Sequence, residues 1–183
     1  HERTLHTDVL FAIVKNMQKQ RPDLRVIAMS ATLQADTFAT YFSNAKILYI
    51  ACRQYPVDIY FADEPQQDYL DAALTTVLQI HLQKSIPGDI LVFLTGQEEI
   101  ETARALLEEK IPKLPTETPS FYVTPIYAAL PPHEQLKVFE PTPAGVRKII
   151  LATNIAETSV TINGVKYVVD TGVTKTRQHH AKT

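Results

Sequence analysis

Four short strings of small and polar residues could do chemistry in this sequence: Ser30-Ala31-Thr32, Thr95-Gly96-Gln97, Thr153-Asn154 and Asp170-Thr171-Gly172. Hydroxyls and free backbone N–H groups of this kind suit the oxygens of phosphates and sugars. Gly96 adds a point where a ligand can come close to the backbone, because glycine has no Cβ. Glu157-Thr158-Ser159, just after Thr153-Asn154, repeats the pattern. At any one site ordinary helix capping competes with this reading, since Ser, Thr and Asn favour helix starts for their own sake. The four strings together point to a phosphate-bearing ligand.

Other chemistries leave little trace. No complete GxxxxGK[ST] phosphate loop occurs in the 183 residues. Neither a carboxylate pair, a Ser-His-Asp set nor a metal-ligand spacing stands out. His179 and His180 are adjacent and read as an exposed polar tail, and Cys52 reads as inert. A single cysteine cannot form an internal disulfide, which fits a reducing compartment.

The elements that must hold the four strings follow from periodicity. Apolar residues at Val9, Leu10, Ile13, Val14 and Met17 predict a helix over 7–20, ended by Arg21-Pro22. Short apolar runs predict strands at 24–29, 46–50 and 57–61, with a helix over 36–42 between the first two. Leu70, Leu74, Val77, Leu78 and Leu82 share one face of a helix over 69–83, and Ile100, Ala103, Leu106 and Leu107 share one of a helix over 97–109. Strands are expected at 90–94, 121–127, 148–152 and 165–169, with a short helix over 132–139 that begins with proline. Continuous apolar strands alternating with amphipathic helices imply an α/β fold with a parallel sheet covered on both faces. In such folds ligands bind beyond the carboxyl ends of the strands, where all four strings fall.

Composition agrees with an ordinary globular protein: 45% hydrophobic and 21% charged residues exclude disorder and low complexity. The net charge of −2 requires that any nucleic-acid binding come from local geometry rather than a global positive field. No apolar run approaches the roughly 18 residues that a membrane-spanning helix needs, and the first residues lack the apolar core of a signal peptide. The absent initiating Met and the opening inside a helix-like segment read as a piece of a longer protein.

Longer strings carry a resemblance. His1 to Asp8 (HERTLHTD) resembles the segment of a DEAH-box helicase that begins with the final letter of DEAH, and Ser30-Ala31-Thr32 resembles the family's third motif. The ten residues Leu91–Ile100 (LVFLTGQEEI) resemble its fourth motif, and the eleven residues Ala152–Ile162 (ATNIAETSVTI) its fifth. The match runs through nearly the whole chain in the family's order. It implies an ATP-dependent RNA helicase of superfamily 2, coupling NTP hydrolysis to RNA unwinding or RNP remodelling in the 3′ to 5′ direction. It also implies parts of two RecA-like domains: residues 1–52 as the end of the first, ATP-binding domain, and 53–183 as an incomplete second one.

The resemblance assigns roles by position. His1 links the nucleotide site to Ser30, Ala31 and Thr32, which couple hydrolysis to movement. Phe139 stacks on the nucleotide base, and Asn163 stands where many relatives carry an aspartate that contacts the ribose. Without the resemblance, Phe139 reads as core packing on a short helix. Asn163 keeps a hydrogen-bond acceptor but lacks the charge that strengthens one. Thr95, Gly96, Gln97, Thr153, Asn154 and Thr158 match positions that hold the RNA backbone, a sequence-independent mode of binding.

The implied cofactors are ATP, with other NTPs accepted, and Mg²⁺, whose ligands are mostly missing from these residues. The implied partners are single-stranded RNA or an RNP and a glycine-rich (G-patch) protein activator, with no membrane. The implied location is intracellular, in the nucleus or nucleolus. Without the phosphate loop, the DEAH carboxylates and the arginine-rich sixth motif, these residues alone are expected to be inactive. The alternative is a non-catalytic DEAH-like RNA-binding scaffold or sensor.

Overall fold

The computed structural model describes residues 4–29, 35–50, 55–64, 66–158 and 161–175. They fall into two compact units, His1–Tyr60 and Phe61–Thr183.

In the first unit, α1 (Leu5–Gln20) begins at Thr4, whose hydroxyl accepts the Thr7 N–H at 3.2 Å. It ends where the Arg21 N–H donates to the Met17 carbonyl at 2.8 Å, one residue before Pro22. A shorter helix, α2 (Ala35–Tyr41), supplies Phe38, which meets Phe11 of α1 edge to face with ring centroids 5.3 Å apart. Phe42, just beyond α2, meets the same ring at 5.8 Å. The runs expected as strands at 24–29 and 46–50 are unpaired, and so is 57–61 at the boundary of the two units. Their apolar side chains, Ile27, Met29, Leu48, Tyr49, Val57 and Ile59 among them, are exposed. An apolar run becomes a strand only when a neighbour takes up its N–H and C=O groups. Among the described residues of this unit there is no such neighbour.

The second unit has the expected architecture. Helix α3 (Tyr69–Gln83) starts at Asp68, whose carboxylate accepts the Asp71 N–H at 3.0 Å. Strand β1 (Asp89–Phe93), helix α4 (Gln97–Lys110), strand β2 (Ser120–Ile126), helix α5 (Pro132–Leu136), strand β3 (Val146–Ala152), helix α6 (Ile155–Thr158) and strand β4 (Val165–Asp170) follow. A 3₁₀ turn (Lys137–Phe139) completes the helical stretch expected over 132–139. All four strands are parallel, in the order β2-β3-β1-β4. The register sets Ile90 against Ile149 and against Tyr167.

The period of two along each strand sends alternate side chains to opposite faces. Ile90, Val92, Ile149, Leu151 and Val169 lie under Leu74 and Val77 of α3 and Ile100, Ala103 and Leu107 of α4. Leu91, Ile126, Ile150 and Ala152 face the other way, against Val138 and Ala156. This second cover is thinner, and Val168 on the edge strand β4 is 58% exposed. Leu82 and Leu106, assigned by periodicity to inward faces, stand at the margins of their helices and are exposed.

Two adjacent cations on β3 are fully buried, which the sequence reading did not foresee. Arg147 donates to the carbonyls of Ile80 at 2.9 Å, Lys84 at 2.8 Å and Ser85 at 2.9 Å. These belong to the last turn of α3 and the residues after it, where helix carbonyls lack intrahelical partners and the dipole favours a cation. Lys148 points to the opposite face and serves the second surface described below.

Candidate functional site

At the carboxyl edge of the sheet, three neighbouring strands bring their end residues side by side. Beyond β1, the Leu94 N–H donates to the Ala152 carbonyl of β3 at 2.8 Å. From the other side, the Thr171 hydroxyl donates to the Phe93 carbonyl at 3.2 Å. Thr95-Gly96, Thr153-Asn154 and Thr171-Gly172 thus share one edge. Ser30, Ala31 and Thr32, together with His1, Cys52, His179 and His180, lie outside the described residues.

The structure corrects one chemical expectation for this edge: two of its backbone N–H groups are not free. The Thr95 N–H donates to Glu99 Oε2 at 3.0 Å, and the Thr153 N–H donates to the Ile126 carbonyl at 3.2 Å. What remains for a ligand is the hydroxyls, the exposed Asn154 and Gln97 side chains, and the space over Gly96. Gly96 caps α4 with extended backbone (φ −173°), which any residue adopts, and a Cβ there would meet nothing within 4 Å. Nothing in the fold demands a glycine at this position, whereas a ligand backbone lying over it would. Thr158 lies in α6, and its side chain is outside the described residues.

Glu99 anchors this edge from below. Its carboxylate accepts a short hydrogen bond from the Tyr69 hydroxyl as well as the Thr95 N–H. Burial pushes the carboxyl up, but the bonds from Tyr69 and Thr95, with Lys175 nearby, outweigh it and hold the group below the usual carboxylate value. The bond to Glu99 in turn raises Tyr69 above the ordinary phenol value.

Phe139 and Asn163 stand at the other edge, among the residues that lead into β3 and β4. Phe139 closes the 3₁₀ turn, and its ring is 39% exposed, while its neighbour Val138 fills the core position. The core-packing alternative for Phe139 therefore belongs to Val138 instead. Asn163 is exposed beside Gly164, whose φ of +93° favours glycine. The Gly164 carbonyl accepts the Asp89 N–H at 2.9 Å, and a Cβ on Gly164 would sit 2.9 Å from Asp89 Oδ2. Asp89 Oδ1 accepts the Lys148 backbone N–H at 3.0 Å, and Oδ2 accepts the Thr142 hydroxyl at 2.6 Å. The Lys148 ammonium, 3.9 Å from Asp89 Oδ2, donates to the carbonyls of Val138 at 2.8 Å and Glu140 at 2.7 Å. Burial pushes this ammonium below its ordinary value, while the charges of Asp89 and Glu140 pull it back.

The expected residues thus form two groups on opposite edges, Thr95, Gly96, Gln97, Thr153 and Asn154 on one, Phe139 and Asn163 on the other. Attention to strand ends alone locates the first group. The second is legible only through the family resemblance, and its supports, Asp89 and Lys148, belong to none of the motif strings. A charged residue at the start of each of two apolar runs was the signal for them.

A parallel four-stranded sheet flanked by helices, with polar strand ends, defines an α/β domain of the RecA-like helicase type. The chain belongs to the helicase conserved C-terminal domain family, whose pattern matches residues 72–182. It is 52% identical to the ATP-dependent RNA helicase DHX33 of Mus musculus and 50% identical to that of Homo sapiens. Each alignment covers 98% of this chain and 26% of the relative, so the chain spans about a quarter of the length of the curated relatives it matches. The helicase likeness drawn from the motif strings is borne out. Among the described residues no helix is long and apolar enough to cross a membrane.

Proposed function

We propose that this chain is part of an ATP-dependent RNA helicase of the DEAH-box type, in which NTP hydrolysis drives 3′ to 5′ movement along single-stranded RNA and remodels RNA or RNP. The observation that carries the reading is the row of strand ends Thr95-Gly96, Thr153-Asn154 and Thr171-Gly172, polar and open above Gly96. Hydroxyls and amides there hold sugar and phosphate without reading bases, as a motor that must step over any sequence requires. Residues 1–52 form the end of a first RecA-like domain and 53–183 most of a second. His1 with Ser30, Ala31 and Thr32 transmits hydrolysis between them. The exposed rings and amides of Phe139 and Asn163 fit a nucleotide base and ribose, and the stacking face admits bases other than adenine. Mg²⁺ accompanies the nucleotide on ligands supplied by other parts of the protein. A G-patch protein activates the enzyme, which works in the nucleus or nucleolus.

ATP hydrolysis by the full-length protein, with and without single-stranded RNA, tests the proposal. Strong stimulation by RNA is expected. A folded protein that hydrolyses no ATP with Mg²⁺ and RNA present is a scaffold or sensor instead. The 183-residue chain by itself should show no hydrolysis above background.

Two substitutions address the two edges. Phe139→Ala removes a stacking face and should weaken nucleotide binding by about 1–3 kcal/mol, with a stability loss well below the about 3–5 kcal/mol of a fully buried Phe, because the residue is 39% exposed. Gly96→Ala should raise the dissociation constant for single-stranded RNA about tenfold, a loss of about 1.4 kcal/mol. Its cost in stability, that of a poorer helix cap, is about 1 kcal/mol or less. Unchanged RNA affinity in Gly96→Ala would remove Gly96 from the RNA path.

A further inference from the structure

We infer that Lys148 and Asp89 form a buried positioning pair that sets the nucleotide-facing geometry of Phe139 and Asn163, a role that rests on the proposed nucleotide contacts of those two residues. Lys148 is 1% exposed, and a lysine is rarely buried so completely unless its donors are taken. Its ammonium bridges the carbonyl before Phe139 and the carbonyl after it. The backbone that carries the ring is thereby tied on both sides to one buried side-chain atom, the ammonium of Lys148 on β3. The ring is 39% exposed and is not one of the buried core side chains, so this tether sets the place from which it projects.

Asp89 extends the same control to the other contact. Through Oδ2 it holds Thr142, three residues beyond Phe139, and through its own N–H it holds the carbonyl of Gly164, next to Asn163. The close approach of Gly164 to Asp89 Oδ2 leaves no room for a side chain there. Strands β3 and β4 both pair with β1, whose first residue is Asp89. The segments bearing Phe139 and Asn163 therefore converge on one residue between them. A hydrophobic core at this spot would fill the space equally well but would leave the Val138 and Glu140 carbonyls without a donor and free to turn. No other described cation reaches these two carbonyls.

The pair touches no ligand; it acts through the backbone of 138–142 and 163–164. Its removal should act on nucleotide binding and leave the RNA edge alone, because Thr95, Gly96 and Asn154 stand on the opposite edge of the sheet. In the full-length enzyme, Lys148→Met should raise KM for ATP about tenfold with kcat within about twofold and RNA affinity unchanged. The double variant Phe139→Ala with Lys148→Met should be no worse than Phe139→Ala alone, since the tether has nothing left to orient.

Thr142→Val is the milder second variant, for use where Lys148→Met does not fold; it deletes the hydroxyl that donates to Asp89 and also meets the Tyr122 side chain, and should raise the same KM about threefold. If Phe139→Ala raises KM but neither Lys148→Met nor Thr142→Val does, the pair is merely structural and the inference fails. Additive effects in the double variant, or a parallel loss of RNA affinity, overturn it as well. If Phe139→Ala itself leaves KM unchanged, the nucleotide reading of that edge is what fails, and the inference falls with it.

Discussion

Replacing Arg147 by Met lowers the stability of the sheet-bearing unit by about 2–4 kcal/mol, most of it from carbonyls left without donors. The guanidinium is wholly buried and serves three carbonyls at the end of α3. The Ile80 carbonyl keeps a second partner, the Lys84 N–H at 3.0 Å, but those of Lys84 and Ser85 depend on Arg147. Lys84 and Ser85 are exposed, so each stranded carbonyl costs towards the lower end of the about 1–3 kcal/mol of a buried polar group. The guanidinium also lies 5.5 Å from the centre of the Tyr167 ring, a contact worth about 0.5–2 kcal/mol. Against these stands the relief of burying a charge, which pushes Arg147 below its ordinary value and explains why the net loss is less than the sum. Arg147→Lys should rescue little, because a single ammonium cannot reproduce the planar fork that spans three carbonyls. Native-state amide exchange of β3 and α3 reads the loss directly. A change under about 1 kcal/mol would mean that water enters and satisfies the helix end.

The second large effect is in the core itself. Ile149 sits on the central strand β3, fully buried beneath α3 and α4. Ile149→Ala should destabilise the unit by about 2–5 kcal/mol, the lost transfer energy plus the cavity left behind. Ile149→Val should cost only about 0.5–1.5 kcal/mol, because one methylene is removed and the shape is kept. Val168→Ala is the internal contrast. Val168 is as apolar and as β-branched, yet it lies 58% exposed on the edge strand, and its truncation should stay within about 0.5 kcal/mol. Urea unfolding of the three variants, followed by exchange at β1 and β3, separates depth of burial from residue type. Equal losses for Ile149→Ala and Val168→Ala would show that the second face of β4 is covered in solution.

The same contrast marks how far the sequence could be read. Helix α3 occupies the very residues 69–83 that its apolar spacing predicts, and α4, β1, β2, β3 and β4 depart from expectation by no more than two residues at either end. Periodicity is a local property, and in the second unit most local periods agree with the burial the fold gives them, Leu82, Leu106 and Val168 excepted. The motif strings at the strand ends were equally legible, because parallel α/β topology assigns ligands to that edge before any contact is known. The runs at 24–29, 46–50 and 57–61 look no different from β1 by composition, yet none is a strand. What a strand needs lies elsewhere in the chain, in a partner for its backbone, and periodicity carries no record of it.

The sequence by itself determined which residues are amphipathic, where the long helices α3 and α4 run, and which family strings are present. Only the tertiary structure decided that Val138 and not Phe139 enters the core. It alone placed Phe139 and Asn163 on the edge opposite Thr95 and Thr153, and turned Arg147 and Lys148 into buried donors on opposite faces of one strand. Those outcomes depend on depth and on partners 8 to 67 positions away. The cost of burying a cation is offset only where folding brings acceptors to it.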